Sequence, residues 1–148
     1  MHIYISIGEQ KLRLFEGDAL VAEYVVSSAA NGIGFEEGSY CTPTGRFEVS
    51  EKIGDGEALG TIFKSRKPMG VWDGTPSDDD MILSRILRLN GLDAQNANSM
   101  ERYIYIHGTN HEALLGEPAS HGCIRMANAD IVELFDRIEL GAPLLIGY

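Results

Sequence analysis

The chain has 148 residues, 44% hydrophobic and 8% aromatic, enough for one domain with a buried core and too few for two ordinary ones. Its 12 Lys and Arg against 22 Asp and Glu leave a formal charge of −10, which argues against nucleic acid or an anionic membrane as partner, since both require clustered basic side chains. No run approaches the roughly 20 apolar residues that cross a bilayer, and two cysteines, Cys41 and Cys123, are no disulfide framework.

Met1-His2-Ile3-Tyr4 enters a strand without the basic region and apolar core of an export signal. The sequence as written is therefore expected to act in the cytoplasm, and in the periplasm or cell wall only if a leader has been removed. Ile3, Ile5 and Ile7 alternate with polar neighbours, and Gly8-Glu9-Gln10 turns the chain into Leu12 and Leu14, a hairpin signal. After the turn Glu16-Gly17-Asp18, Ala19 to Ser27 reads as a third strand, and glycine-rich Asn31 to Gly38 as an exposed loop. Cys41 is expected to pack as a small buried residue. Gly45 to Glu51 alternates as a strand, and short extended pieces follow at Thr61 to Lys64 and Met69 to Trp72. The acidic loop Gly74 to Asp80 lacks the glycine and distal glutamate of an EF-hand and reads as a solvated face. Met81 to Leu89 fits both the helical and the strand period.

In Tyr103-Ile104-Tyr105-Ile106-His107 the alternation predicts a strand with Tyr103, Tyr105 and His107 on one face. Asn128 is placed to cap a helix whose Ile131, Leu134, Phe135 and Ile138 follow i, i+3, i+4, i+7; Gly141 closes it before a last strand, Pro143 to Ile146. Many short strands with one amphipathic helix, and no repeat or linker, predict a single mainly-β (all-β class) domain over residues 1–148.

The chemistry is concentrated in Ser120-His121-Gly122-Cys123-Ile124-Arg125 and in His107-Gly108. A cysteine attacks a carbonyl as thiolate, and with a free pKa of roughly 8.5 it needs a base to take its proton at neutral pH. His121 is nearest in sequence, but two positions along an extended segment set side chains beside one another rather than face to face. His107 lies 123 − 107 = 16 positions upstream and is the better candidate, brought in by folding as in cysteine hydrolases generally.

His107-Gly108 followed by Ser120-His121-Gly122-Cys123, together with the upstream Thr42-Pro43-Thr44-Gly45-Arg46-Phe47, resembles the L,D-transpeptidase catalytic domain of the YkuD type. The resemblance covers nearly the whole chain. With Arg125 after the apolar residue, where some members carry asparagine, the chain is similar to the arginine-bearing branch. The segment from Pro76 to Met100 is longer than a minimal domain of this kind needs. The resemblance implies a mixed β barrel or sandwich with a packed helix, and strand for Met81 to Leu89. It implies acyl transfer on peptidoglycan stem peptides or muropeptides: cleavage after the L-centre of the diamino acid at position three, release of D-alanine, and transfer to an amine or to water. It also implies a thiol that carbapenems acylate, a mechanism without a cofactor, and a Gly108 carbonyl that orients the His107 ring.

From the residues themselves, Gly122 lets its own N–H and that of Cys123 point at one spot, where an oxyanion would form. Arg125, two positions beyond the thiol, is placed either to clamp a substrate carboxylate or to form a structural ion pair. His121 reads as a packed or hydrogen-bonded core histidine with a supporting role, and Ser120 as a turn residue or one that orients a ring. Tyr105, Tyr103 and Trp72 are placed to line a peptide groove or to pack in the core. The rival reading is a zinc site built from His107, His111, His121 and Cys123, giving a binding module or a hydrolase of another class.

Overall fold

In the computed structural model, which describes residues 1–148, the alternating N-terminal segments form the expected hairpin of β1 (His2–Ser6) and β2 (Lys11–Glu16), with Ile3, Ile5, Leu12 and Leu14 turned into the core. Eight strands close a mixed barrel. From β1 and β2 it runs through β3 (Ala19–Ser27), β9 (Ile124–Met126), β8 (Tyr105–Gly108), β7 (Ile82–Gly91), β4 (Gly45–Ile53) and β10 (Pro143–Gly147), which pairs with β1. The pairs β1–β10 and β8–β9 are parallel and the others antiparallel. A hairpin of β5 (Thr61–Lys64) and β6 (Lys67–Val71) extends the sheet from β7.

The run that fits both periods is a strand, because β7 is covered on both faces and so reads as a nearly continuous apolar stretch. Leu87 and Leu89 join the main core, while Ile86 packs with Phe63 and Tyr105 in a second cluster. The helix α1 (Asn128–Arg137) lies against β7 and β8 and buries Ile131, Leu134 and Phe135 in the main core.

Two helix-end expectations need correction. Ala127, not Asn128, holds the N-cap position. Asn128 is the first helical residue, and its side chain is drawn inward: Ser84 donates to its Oδ1 at 2.6 Å and its Nδ2 donates to the Thr109 carbonyl at 2.9 Å. At the other end Ile138 leaves the helix in extended conformation, so Gly141 serves the turn into β10 rather than the cap.

Tyr103 also departs from expectation. It sits at φ 55°, in a turn, so the strand begins only at Tyr105. Cys41 is half-buried rather than buried, its thiol 3.6 Å from the Asn31 and Ser39 carbonyls.

Candidate active site

The parallel pairing of β8 and β9 sets the site. Its register places Ile106 against Ile124, His107 against Arg125 and Gly108 against Met126. Both isoleucines face the main core, so by strand alternation His107 and Arg125 share the opposite face with Tyr105 and with Cys123, the residue just before β9. Cys123 is thus a diagonal neighbour of His107 and packs against the cluster of Phe63, Ile86 and Tyr105.

The turn that delivers the thiol is braced from within. Ser120 Oγ donates to the Cys123 carbonyl at 2.6 Å and accepts from Gly122 N–H at 3.3 Å. Gly122 itself has φ 125°, and a Cβ there would sit 3.2 Å from the Cys41 carbonyl oxygen. Both the conformation and the space select glycine. Thr42 Oγ1 donates to the Gly122 carbonyl at 2.9 Å, so the upstream Thr-Pro segment supports the turn that carries Cys123 directly. Since the Gly122 amide already points at Ser120, the two-donor oxyanion site expected from sequence is not preformed; the Cys123 N–H, however, makes no hydrogen bond within the chain.

His107 is 1% exposed, and its Nδ1 lies 2.6 Å from the Gly108 carbonyl. A carbonyl only accepts, so Nδ1 carries the proton and Nε2 keeps its lone pair. Burial pushes the imidazole pKa below its ordinary value, partly opposed by the Gly108 hydrogen bond and by the Asp80 charge. Gly108 has no room for a side chain: a Cβ would run into Asn128 Oδ1 and the Leu83 carbonyl.

The Cys123 thiol donates to the Tyr103 carbonyl at 3.3 Å and accepts from Tyr105 N–H at 3.4 Å. Burial pushes it up to about 11, and the Tyr105 amide, Arg125 and Arg102 only partly offset this. The resting pair is therefore neutral thiol and neutral imidazole. No hydrogen bond joins the thiol to the imidazole.

Arg125 is 3% exposed, and its Nη2 lies 2.9 Å from Asp80 Oδ1. The second Asp80 oxygen lies 3.3 Å from His121 Nδ1. The acidic loop is thus no simple solvated face, since its last residue reaches the site. The loop is held there by Asn110, which donates to the Asp79 carbonyl at 3.0 Å and accepts from Met81 N–H at 3.1 Å. His121 differs from the core histidine expected: its side chain is 62% exposed, with its ring edge to Tyr40. Tyr105 is 5% exposed, and its hydroxyl accepts from Arg66 at 3.0 Å.

A cleft opens over the thiol, lined by Glu37, Tyr40, Arg102, Tyr103, His121 and Cys123. The zinc ligands of the rival reading do not converge. No group of three or more His, Cys, Asp and Glu side chains is arranged to hold a metal, and His111 instead bonds the Asp79 carbonyl through Nε2 at 2.9 Å. Trp72, considered for the groove, donates its indole N–H to the Thr75 carbonyl and does not line the cleft. Asp80, Arg66, Tyr40 and Arg102 were not foreseen. Arg102 alone carried a signal, as a basic residue next to the tyrosine alternation.

Comparison with known proteins is consistent with this geometry. A family model described as the L,D-transpeptidase catalytic domain matches residues 1–146. YqjB of Bacillus subtilis, which carries the name of an L,D-transpeptidase, is 35% identical over 105 residues, covering 71% of this chain and 51% of its own length. The chain thus spans about half of that relative. Among solved structures, an L,D-transpeptidase from Mycobacterium smegmatis superposes with a TM-score of 0.65 at 15% identity, covering 99% of this chain and 58% of the other. The L,D-transpeptidase LdtMt1, solved in complex with imipenem, superposes at 0.62 with 18% identity, covering 98% and 57%. At these identities the structural likeness establishes the fold.

Proposed function

The chain belongs to the L,D-transpeptidase catalytic-domain family, and from that premise we propose that it transfers the acyl group of a peptidoglycan stem peptide through a thioester on Cys123. The observation that carries this reading is the common face of β8 and β9, where a thiol stands diagonal to a histidine whose Nε2 lone pair is left free.

In the first half-reaction Cys123 Sγ forms a bond to the carbonyl carbon of the diamino acid's L-centre. His107 Nε2 accepts the thiol proton and returns it to the nitrogen of D-alanine as the C–N bond breaks. With the thiol at about 11, only about one molecule in 10⁴ is thiolate at neutral pH. The thiol proton must therefore be taken by His107 on the way to attack. The free N–H of Cys123 is placed to meet the developing oxyanion, and the Gly122 amide, on a long 3.3 Å bond to Ser120, is the donor that would re-aim.

In the second half-reaction a nucleophile attacks the thioester and restores the thiol. An amine from another stem makes the reaction a transpeptidation; water makes it an L,D-carboxypeptidase reaction. Where no sacculus strand supplies amines, water is the acceptor at hand, and trimming of turned-over muropeptides is the corresponding role. The test is to incubate the protein with a diamino-acid tetrapeptide, with and without an acceptor amine, and to identify products by mass. Tripeptide or amine adduct together with free D-alanine is expected. Release of D-alanine by Cys123→Ala protein at the wild-type rate would overturn the proposal.

A further inference from the structure

We propose that Arg66, at the tip of the β5–β6 hairpin, is a substrate-recognition residue that takes a carboxylate of the anionic stem peptide beside Cys123, an inference that rests on the acyl-transfer reading above. The hairpin turns through only two residues, Ser65 and Arg66, between the paired Lys64 and Lys67, and both have positive φ, 49° and 66°. A turn of this kind favours Asn-Gly, because glycine adopts the left-handed conformation without strain. An arginine held there is strained backbone with its side chain turned to a use. That side chain reaches the edge of the site: it donates to Tyr105 Oη at 3.0 Å and lies 5.2 Å over the ring of Tyr103, which lines the cleft. The backbones of these same two tyrosines bracket the thiol.

The other arginines nearby are already engaged. Arg125 is buried against Asp80. Arg102 donates to the carbonyls of Cys41 at 2.7 Å and Gly34 at 3.3 Å. Arg88 is paired with Glu51 at 2.7 Å and bonds the Met100 carbonyl. Arg66 has one neutral partner, a phenol, and no ion pair within 4.0 Å. Glu37 and Glu101 line the cleft of a protein with net charge −10 beside Arg102, whose guanidinium is taken up by backbone carbonyls, so an anionic peptide gains from a further cation at the cleft's edge. A guanidinium backed by a hydroxyl offers the planar fork that a carboxylate takes in two hydrogen bonds. Tyr105, nearly buried, holds Arg66 in place rather than meeting the substrate itself.

Two carboxylates of the peptide qualify, the C-terminal one on D-alanine and the one at the end of the diamino-acid side chain. Calorimetric binding to Cys123→Ala protein separates them, using the free tetrapeptide and two analogues, each amidated at one of these groups. With Arg66 present, one amidation should weaken binding about ten-fold or more, the effect of losing a charged hydrogen-bonding partner. In Arg66→Gln the free peptide should bind weaker by a similar factor, and discrimination against that amide should vanish. Arg66→Gly, which relieves the turn, should keep or raise the melting temperature and lose the same discrimination, separating recognition from folding. Undiminished discrimination in both variants, or equal or undetectable binding of all three peptides to the Arg66 protein, would overturn the proposal. Turnover is measured separately on protein with Cys123 intact: discriminating binding without turnover sinks the acyl-transfer reading and leaves the role of Arg66 standing.

Discussion

Asp80 Oδ1 lies 2.9 Å from the guanidinium of Arg125, the residue that faces His107 across the β8–β9 pair. The carboxylate arrives from an acidic loop far from β9 in sequence, and it neutralises a buried cation two positions beyond Cys123. The same charge raises both the His107 and the Cys123 pKa.

Removing that charge has two consequences of different sign. Asp80→Asn leaves Arg125 buried without its counter-ion, and stability should fall by about 1–3 kcal/mol, less than for a fully buried pair because Asp80 is partly exposed. Thiol reactivity at a given pH should rise, because the variant no longer opposes ionisation of Cys123. A chemical denaturation curve and an alkylation rate measure the two effects; unchanged stability with slower alkylation would contradict this role.

The pH dependence of alkylation tests the resting protonation state. With the thiol at about 11, the rate of reaction with iodoacetamide should climb about ten-fold per pH unit from neutrality to beyond pH 9, following the thiolate fraction. A plateau with an apparent pKa below 8 would instead show a preformed thiolate–imidazolium pair.

The two histidines of the site should separate clearly. His107→Ala removes the proposed general base and should lower kcat by about 10²- to 10⁴-fold. His121, whose exposed side chain is held by Asp80 and Tyr40 and makes no hydrogen bond to the thiol, should cost far less when replaced by alanine. Steady-state kinetics on both variants decides, and equal losses would reopen the choice of base.

Gly122→Ala combines a left-handed φ of 125° with a Cβ 3.2 Å from the Cys41 carbonyl. The protein should fold less stably, by about 1–3 kcal/mol, and the displaced thiol should react more slowly. A melting temperature equal to wild type would show that the turn is free to relax.

What the sequence disclosed follows from periodicity and local chemistry. Alternation and turn residues located β1, β2 and β3, and motif spacing singled out Cys123 and His107, which the fold sets diagonally on one face. Met81 to Leu89 was ambiguous for a physical reason: a strand covered on both faces loses the period that marks a strand. Asn128 was misplaced because a capping preference was outweighed by buried partners, Ser84 and Thr109, that only the folded barrel supplies. Tyr103 left the strand face because its backbone turns at positive φ, which alternation does not report. Asp80 could not be singled out from Asp78 and Asp79, since its role depends on a loop anchored by Asn110 about thirty residues later. Arg66 was equally silent, because a hairpin tip acquires meaning only from what lies beneath it.

The central claim, that Cys123 forms an acyl-enzyme, is tested most directly by intact-mass measurement after exposure to imipenem, the compound bound to the structurally similar LdtMt1. Wild-type protein should gain one covalent equivalent, mapped by peptide digestion to Cys123, and Cys123→Ala should gain none. Half-buried Cys41 should remain unmodified, since it has neither a base nor an oxyanion site beside it. An adduct on Cys41, or the same mass gain in the Cys123→Ala protein, would contradict the account.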